Sequence, residues 1–365
     1  MSRSLIDHFL RRAIDWLFRV RTVERYLIAA AFGVIIAIFA GPPLVTFVLG
    51  LIFDAVPDEY QAMVRVVDDV DLWILSICSV VILVGLSIVG WRVFLDIRTN
   101  SRRRVIVVEG RGLRDDDGRS LVKAIPKSVP GQRISSLLDL RNRTDGRVIE
   151  PERAISEIAV NQRAIAQHRR SIGRNDLTTV YGGLTSVPYT FLTGLYFDDE
   201  GRVETYDWDR AREAWRTLDD EDDQANFITS GLDDVSGELE VVVAIAFSYA
   251  VQETDLDSTF SFKRVRMVLD GISSDSHWSA GKQNRLAQQF LEVVKKLSAN
   301  GVRRIHLVMA APNSVVFTFG RRYDKRNLPE IVVYQYERGQ NPAYPWGVLM
   351  PVCGVGNPAV IYNSI

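Results

Sequence analysis

Residues 303–338, RRIHLVMAAPNSVVFTFGRRYDKRNLPEIVVYQYER, decide how the chain is read, because the same layout stands 128 positions earlier. Residues 175–210, NDLTTVYGGLTSVPYTFLTGLYFDDEGRVETYDWDR, match it without a gap. Ser314 and Val315 fall on Ser186 and Val187, Phe317, Thr318 and Phe319 on Tyr189, Thr190 and Phe191, and Tyr334, Tyr336 and Arg338 on Tyr206, Trp208 and Arg210. The glycine that would stop the preceding helix keeps the interval too, Gly301 over Gly173. Two α/β units can share strand, small residues and helix by convergence. Identities in phase favour an internal duplication, and a repeat decides the architecture before any local reading does.

Each copy reads as a strand opening directly onto a helix. In the second, residues 305–309 are an apolar run short enough for a buried parallel strand, and Ala310, Ala311, Pro312, Asn313 and Ser314 form the turn. The first offers Gly182, Gly183, Leu184, Thr185 and Ser186 in the same place. Small residues let a ligand approach the backbone, Ser or Asn can cap the helix, and free N–H groups of the first helical turn face outward. Ligands of open α/β sheets bind beyond the carboxyl ends of the strands, so two such turns imply one composite site. Arg321 and Arg322 after the second helix could pair with phosphate, and Tyr189 and Phe317 could stack on bases.

Composition narrows the alternatives. With 365 residues and 47% hydrophobic content, the chain can hold more than one domain, and a net charge of −1 argues against wholesale non-specific nucleic-acid binding. Cys78 lies in an apolar run and Cys353 far from it, so no disulfide framework or thiolate metal site is implied. His8, His168, His277 and His306 are scattered without metal-ligand spacing, and no metal or cofactor is expected. GxSxG, GxxxxGK[ST], HExxH and paired CxxC motifs are all missing. Glu109, Gly110 and Arg111, followed by Gly112, hold half a dinucleotide fingerprint and read as a turn that sees ligand. His277 beside Trp278 reads as surface, and His306 on its strand as structural.

The amino-terminal third differs from the rest. Residues 1–26 carry Leu5, Ile6, Phe9, Leu10, Ala13, Ile14, Leu17 and Phe18 at helical spacing, with Arg11, Arg12 and Arg19 between them, the pattern of a basic amphipathic helix. Residues 27–53 contain no charge and 72–94 only Arg92, each longer than the ~20 apolar residues a spanning helix needs. A transmembrane hairpin over 27–96 is expected, bent at Pro42 and Pro43, in preference to a re-entrant loop. Arginines flank both spans, whereas 54–71 hold six acidic residues against Arg65. The positive-inside rule then places both termini in the cytoplasm.

From about 104 the composition is that of a soluble α/β protein. Residues 105–108 read as a strand, 152–172 as a helix, 211–218 as helical, 238–249 and 260–269 as strands, and 280–299 as a helix stopped by Gly301. Residues 127–145 read as loop, and the acidic run 219–223 as solvated. Alternation of strand and helix implies a largely parallel sheet in each of two units, about 104–218 and 238–365, packed as one module.

HLVMAAPNSVVFTFGRRYD, the following strand PEIVVYQYE, and Tyr344, Pro345 and Trp346 resemble the SAVED domain, the sensor of bacterial CBASS antiviral defence systems. The resemblance covers about 104–365. It implies two fused CARF-like Rossmann units that bind a cyclic di- or trinucleotide made by a partner synthase, and, with the hairpin, a membrane effector that oligomerises on ligand binding and disrupts the bacterial inner membrane in abortive infection. Ligand-binding residues are then expected among Glu109, Gly110, Arg111, Gly182, Gly183, Thr185, Ser186, Ala311, Pro312, Asn313, Ser314, Phe317, Arg321 and Arg322. No catalytic residue is expected. The rival readings are a CARF-like ring nuclease that cleaves its own ligand and a membrane tether for a protein partner.

Overall fold

The computed structural model describes residues 76–77, 79–92, 94–95, 102–112, 119–141, 149–170, 172–173, 176–198, 202–324, 326–352 and 354–363. The chain divides into two compact units, Met1–Asn100 and Ser101–Ile365. In the first, the described residues between 76 and 95 are helical and most of their apolar side chains, among them Leu83, Val84, Leu86 and Trp91, are exposed. Among the described residues no helix is long and apolar enough to cross a membrane. The expected amphipathic helix (1–26), the span over 27–53 and the acidic loop lie outside the described residues, as does part of the span over 72–94.

The second unit is built on two sheets. One contains β1 (Arg104–Arg111), β2 (Gln132–Asp139), β3 (Leu177–Leu184), β4 (Val203–Asp209) and β5 (Ala214–Thr217), in the order β2-β1-β3-β4-β5. The other contains β6 (Phe227–Ser230), β7 (Glu240–Ala246), β8 (Arg264–Leu269), β9 (Arg304–Ala310), β10 (Glu330–Gln335), β11 (Trp346–Leu349) and β12 (Ala359–Tyr362), in the order β12-β11-β10-β9-β7-β8-β6. Read from β8 to β11, the second sheet repeats the first: a parallel run of four strands followed by one antiparallel strand. The helices are α1 (Leu121–Ala124), α2 (Pro151–Arg170), α3 (Val187–Tyr196), α4 (Glu253–Asp257), α5 (Ala280–Ala299) and α6 (Asn313–Arg322).

Parallel strands covered on both faces must be apolar throughout, which is why β1 and β7 read as unbroken runs of Val and Ile. Amphipathic α5 turns Leu286, Phe290, Val294 and Leu297 into the core, each burial contributing roughly 1.5–3 kcal/mol. Its start is fixed by Ser279, whose hydroxyl accepts from Lys282 N. One continuous core includes Ile155 and Ile158 of α2, Leu192 and Leu195 of α3, Val243 of β7, Leu307 of β9 and Phe319 of α6, so the two halves share an interior.

The repeat is real in topology but its spacing is not constant. Helices α3 and α6 are 126 residues apart at both ends. Tyr181 pairs with Thr205 on the neighbouring strand, and Leu307, its counterpart at the 126 spacing, pairs with Val333, which restores 128. The gapless match is therefore displaced by two residues across the helices, where Phe317 corresponds to Phe191 and Gly320 to Gly194. Packing enforces this: a Cβ on Gly194 would collide with the Phe317 carbonyl oxygen, and one on Gly320 with that of Phe191. The two helices pack so closely that backbone meets backbone, with the reciprocity of a local twofold axis.

Two local expectations are corrected. Residues 211–218 are not helical. Asp209 Oδ1 accepts from Ala211 N and Arg212 N, turning the chain into a hairpin in which Trp215 lies opposite Trp208, edge to face at 5.4 Å, and donates Nε1–H to Arg119 O. Tertiary packing of the two indoles overrides a helix-favouring composition. Residues 127–145 contain β2, an edge strand whose mixed burial hides its period.

Candidate functional site

Strands β3 and β9 end side by side with their turns, and side chains from each half cap the other. Asn313 at the start of α6 reaches into the first half: its Oδ1 accepts from Thr185 N at 3.1 Å and from Thr190 Oγ1 at 2.6 Å. Thr185 and Thr190 join their own hydroxyls at 2.7 Å. In return Asp207, on β4, accepts from Ser314 N at 3.0 Å. Gln335, at the end of β10, accepts from Val187 N in the first turn of α3 at 3.1 Å. Amides at the amino ends of both α3 and α6 are thus satisfied across the seam.

A buried polar cluster lies behind α6. Gln283 donates to Ser314 Oγ at 2.9 Å and to His277 O at 2.7 Å, and accepts from Thr318 Oγ1 at 3.1 Å. His277 is 5% exposed, lies against Trp278, and points Nε2 at Asp207 Oδ2 from 3.6 Å. Burial pushes its imidazole below the ordinary value, against the opposing pull of Asp207 and Asp275. The surface reading of His277 is therefore corrected: its loop is folded under the turn. His306 sits in the second sheet between Tyr334 Oη and Glu240 Oε2, each at 2.9 Å, and burial lowers its pKa likewise.

The expected site residues separate into groups. Thr185, Ser186, Ala311, Pro312, Asn313 and Ser314 meet at the seam, where Ser314, Thr185 and Ser186 are buried and the other three half-buried. Gly110, Gly182 and Gly183 lie beside it in the sheet, small for internal reasons. A Cβ on Gly183 would strike the Tyr181 phenol, one on Gly182 would press on Leu121 and Trp215 at 3.0 Å, and one on Gly110 would come within 3.1 Å of Thr185 Cγ2. Glu109 is 1% exposed and occupied: Oε2 accepts from Leu121 N at 2.8 Å and Oε1 from Arg111 Nε at 2.7 Å. Its job is to start α1 and to hold Arg111.

Phe317, Arg321 and Arg322 do not join this edge. Phe317 is fully buried and stacks on Tyr181 with centroids 3.7 Å apart, so it fills the core, as does Tyr189. Arg321 and Arg322 end α6, about 13 Å from Asn313 at the helical rise per residue. They face clefts of about 420 and 340 Å³ shared with Asp198, while Arg321 Nε donates to Phe197 O at 3.1 Å. A third cleft, about 500 Å³, opens at the amino ends of β7, β9 and β10 beside Glu240, Arg304 and Glu330. All three lie on the amino edge of the sheets, opposite the turns.

Sequence reasoning missed Asp207, Gln335 and Ser248. Ser248 follows β7, donates its backbone N–H to Ala310 O at 2.9 Å, and is 6% exposed with a hydroxyl lacking a hydrogen-bond partner. Tyr249 and Tyr336, at the carboxyl ends of β7 and β10, are exposed. A legible signal existed for Asp207: an acidic residue between Tyr206 and Trp208 on a strand is out of place unless it is paired.

The SAVED family, described as the SMODS-associated and fused to various effectors sensor domain, matches residues 161–350. The SAVED-fused 2TM effector domain matches residues 3–155, running through β1 and β2 of the first sheet. No curated protein matches the chain. Among solved structures, the chain is similar to the Acinetobacter baumannii Cap4 SAVED/CARF-domain containing receptor with the cyclic trinucleotide 2′3′3′-cAAA, at 16% identity and a TM-score of 0.46, covering 80% of this chain and 62% of that one. The same receptor with 3′3′3′-cAAA gives 17%, 0.45, 79% and 61%, and the Moraxella osloensis Cap4 receptor 16%, 0.40, 66% and 48%. The chain thus spans about three fifths of the length of the A. baumannii receptors. With more than half of its residues matched by the sensor family and most of the remainder by the effector family, the chain belongs to the SAVED family as a sensor domain fused to a 2TM effector domain.

Proposed function

We propose that the protein is a membrane-anchored receptor for a cyclic oligonucleotide in bacterial antiviral defence, binding it where the two strand-end turns converge. The observation that carries this reading is the contact of Asn313 with Thr185 and Thr190, which joins the carboxyl ends of two parallel sheets into one face. Exposed Tyr249 and Tyr336 offer aromatic faces for stacking on bases there. The 2′3′3′-cAAA and 3′3′3′-cAAA held by the A. baumannii receptors are the ligand class to test first. Binding drives sensor domains to associate, and association raises the local concentration of the membrane segments until the bilayer leaks. Residues 1–26 and 104–365 stand on the cytoplasmic side of the inner membrane, and a synthase supplies the ligand.

The protein acts by binding rather than by cleavage. Supporting this, the acidic groups beside the turns, Glu109 and Asp207, are buried and engaged with backbone amides. Calorimetric titration of the full chain in nanodiscs with cyclic di- and triadenylates tests the receptor, and chromatography of the recovered nucleotide tests for linear products. Heat of binding with intact nucleotide is expected. Dye-loaded liposomes carrying the protein test the effector: dye retained with every cyclic nucleotide that binds overturns membrane disruption and leaves the receptor reading standing.

A further inference from the structure

Parallel strands all start at the same edge, so residues that precede them meet there however far apart they lie in the chain. Arg102 stands before β1, Arg202 before β4, Arg303 before β9 and Arg326 before β10, while Arg322 ends α6; all five are exposed. The clefts of the amino edge make them neighbours. One is lined by Arg202 and Arg322, the next by Arg322 and Arg326, the third by Arg326 and Arg303. Arg102 continues the row, because β1 lies two strands from β4, roughly 10 Å. Nearby carboxylates are engaged: Glu240 and Glu330 hold Arg304, and Asp324 accepts from Arg326 N and Asn327 Nδ2 within its own turn. Arg202 pairs with Glu204 at 2.9 Å, and among the described residues no carboxylate pairs with Arg102, Arg303, Arg322 or Arg326. Exposed Asp233 and Asp234 stand apart, beside Lys263 at the start of β8. The opposite edge mixes its signs, with Arg210 and Arg338 among Glu213, Asp219, Asp220 and Glu221.

We propose that this row of arginines is a docking face for the phosphate headgroups of anionic lipids, which leaves the opposite edge and its turns open to a ligand. The point where the chain enters the domain selects a lipid surface over a soluble polyanion. Only residues 95–103 separate the apolar run 72–94 from β1, a reach of at most about 30 Å, and β1 starts at the arginine edge. Guanidinium groups spread over both halves of the fold match an extended anionic surface, to which each adds attraction that salt screens. The proposal rests on the reading of 27–96 as membrane-embedded. It needs no nucleotide, so its test is independent of the receptor reading.

The full chain is reconstituted without nucleotide into liposomes of phosphatidylcholine, with or without phosphatidylglycerol, and backbone hydrogen exchange is followed. With phosphatidylglycerol, exchange around Arg303 and Arg326 should slow about fivefold or more and recover at high salt, while the hairpin after β4 is unchanged. Changing Arg303→Gln, Arg322→Gln and Arg326→Gln together should abolish the slowing. The same three positions as lysine should restore it, since a headgroup surface reads charge where a structural guanidinium fork would not be replaced. Equal exchange in the two lipids overturns the proposal, as does slowing that the glutamine variant keeps. Slowing caused by inorganic polyphosphate on phosphatidylcholine liposomes, and not by phosphatidylglycerol, makes the partner a soluble polyanion and overturns it too. A chain that alkaline carbonate strips from the liposomes counts against the membrane-anchored reading. Docking is then read by flotation: floating with phosphatidylglycerol and not with phosphatidylcholine alone supports it, and any other outcome overturns it.

Discussion

The two halves of the sensor unit follow one chain path and spend it differently. In the first, the short turn after β4 folds back through Trp208 and Trp215, and an acidic side chain from that strand reaches across to cap α6. In the second, two further strands, β6 and β12, flank the repeated run, a Glu240–His306–Tyr334 chain lies across the sheet, and the reciprocal cap is an amide. What the halves keep in common is the seam, where Gly194 and Gly320 bring α3 and α6 into backbone contact. The comparison teaches that the two halves share the join and differ at their edges.

Breaking the join should cost most. Gly320→Ala and Gly194→Ala each force a methyl into a carbonyl of the facing helix, and a loss of about 3 kcal/mol is expected. Gly301→Ala, at φ +94° with open space around it, should cost only about 1 kcal/mol. Thermal melts of the three variants rank them, and equal losses would mean that the seam is no more constrained than a helix stop.

Cross-caps come next. Asn313→Ala removes two hydrogen bonds and leaves Thr185 N unpaired, an expected loss of about 2 kcal/mol. Pairing it with Thr190→Val in a double-mutant cycle should show the two losses overlapping, and strict additivity would dissociate Asn313 from the first half.

Acid should weaken the second half through His306, and the seam through His277. Both imidazoles titrate lower in the folded protein than in the unfolded chain, chiefly because of burial, so the unfolded state takes up protons first. Stability is therefore complete above about pH 6.5 and falls as pH drops below it, at up to roughly 1.4 kcal/mol per pH unit for each group. Melting temperature measured between pH 7.5 and 5.5 should fall, and His306→Gln should flatten part of the slope. The smallest effect is expected at the amino edge: Arg322→Glu, distant from the turns, should change nucleotide affinity by less than about twofold. A larger change would bring the end of α6 back into the site.

Much of this was visible in the residues. The period of α5 places its buried face without reference to any neighbour, and β7 announces a covered strand because a parallel interior leaves no polar side. The strand-helix turns at Thr185 and Asn313 were legible as a pair for the same local reason: small residues at the end of an apolar run. Residues 211–218 were not legible, because their strand exists only through Trp208, and β2 was not, because an edge strand has no fixed burial period. Phe317 misled, since an aromatic in a helix reads the same whether it faces a ligand or Tyr181.

Local side-chain pattern by itself determined the class of fold, the repeated strand-helix-strand layout and the edge on which the turns stand, because hydrophobic period and turn chemistry act over a few residues. Tertiary structure alone decided the two-residue displacement at α3 and α6, the exchange of caps by Asp207, Gln335 and Asn313, and the banishment of Arg321 and Arg322 to the far edge. Those depend on which backbone meets which across the seam, and contacts between residues more than a hundred positions apart leave no period in the sequence to read.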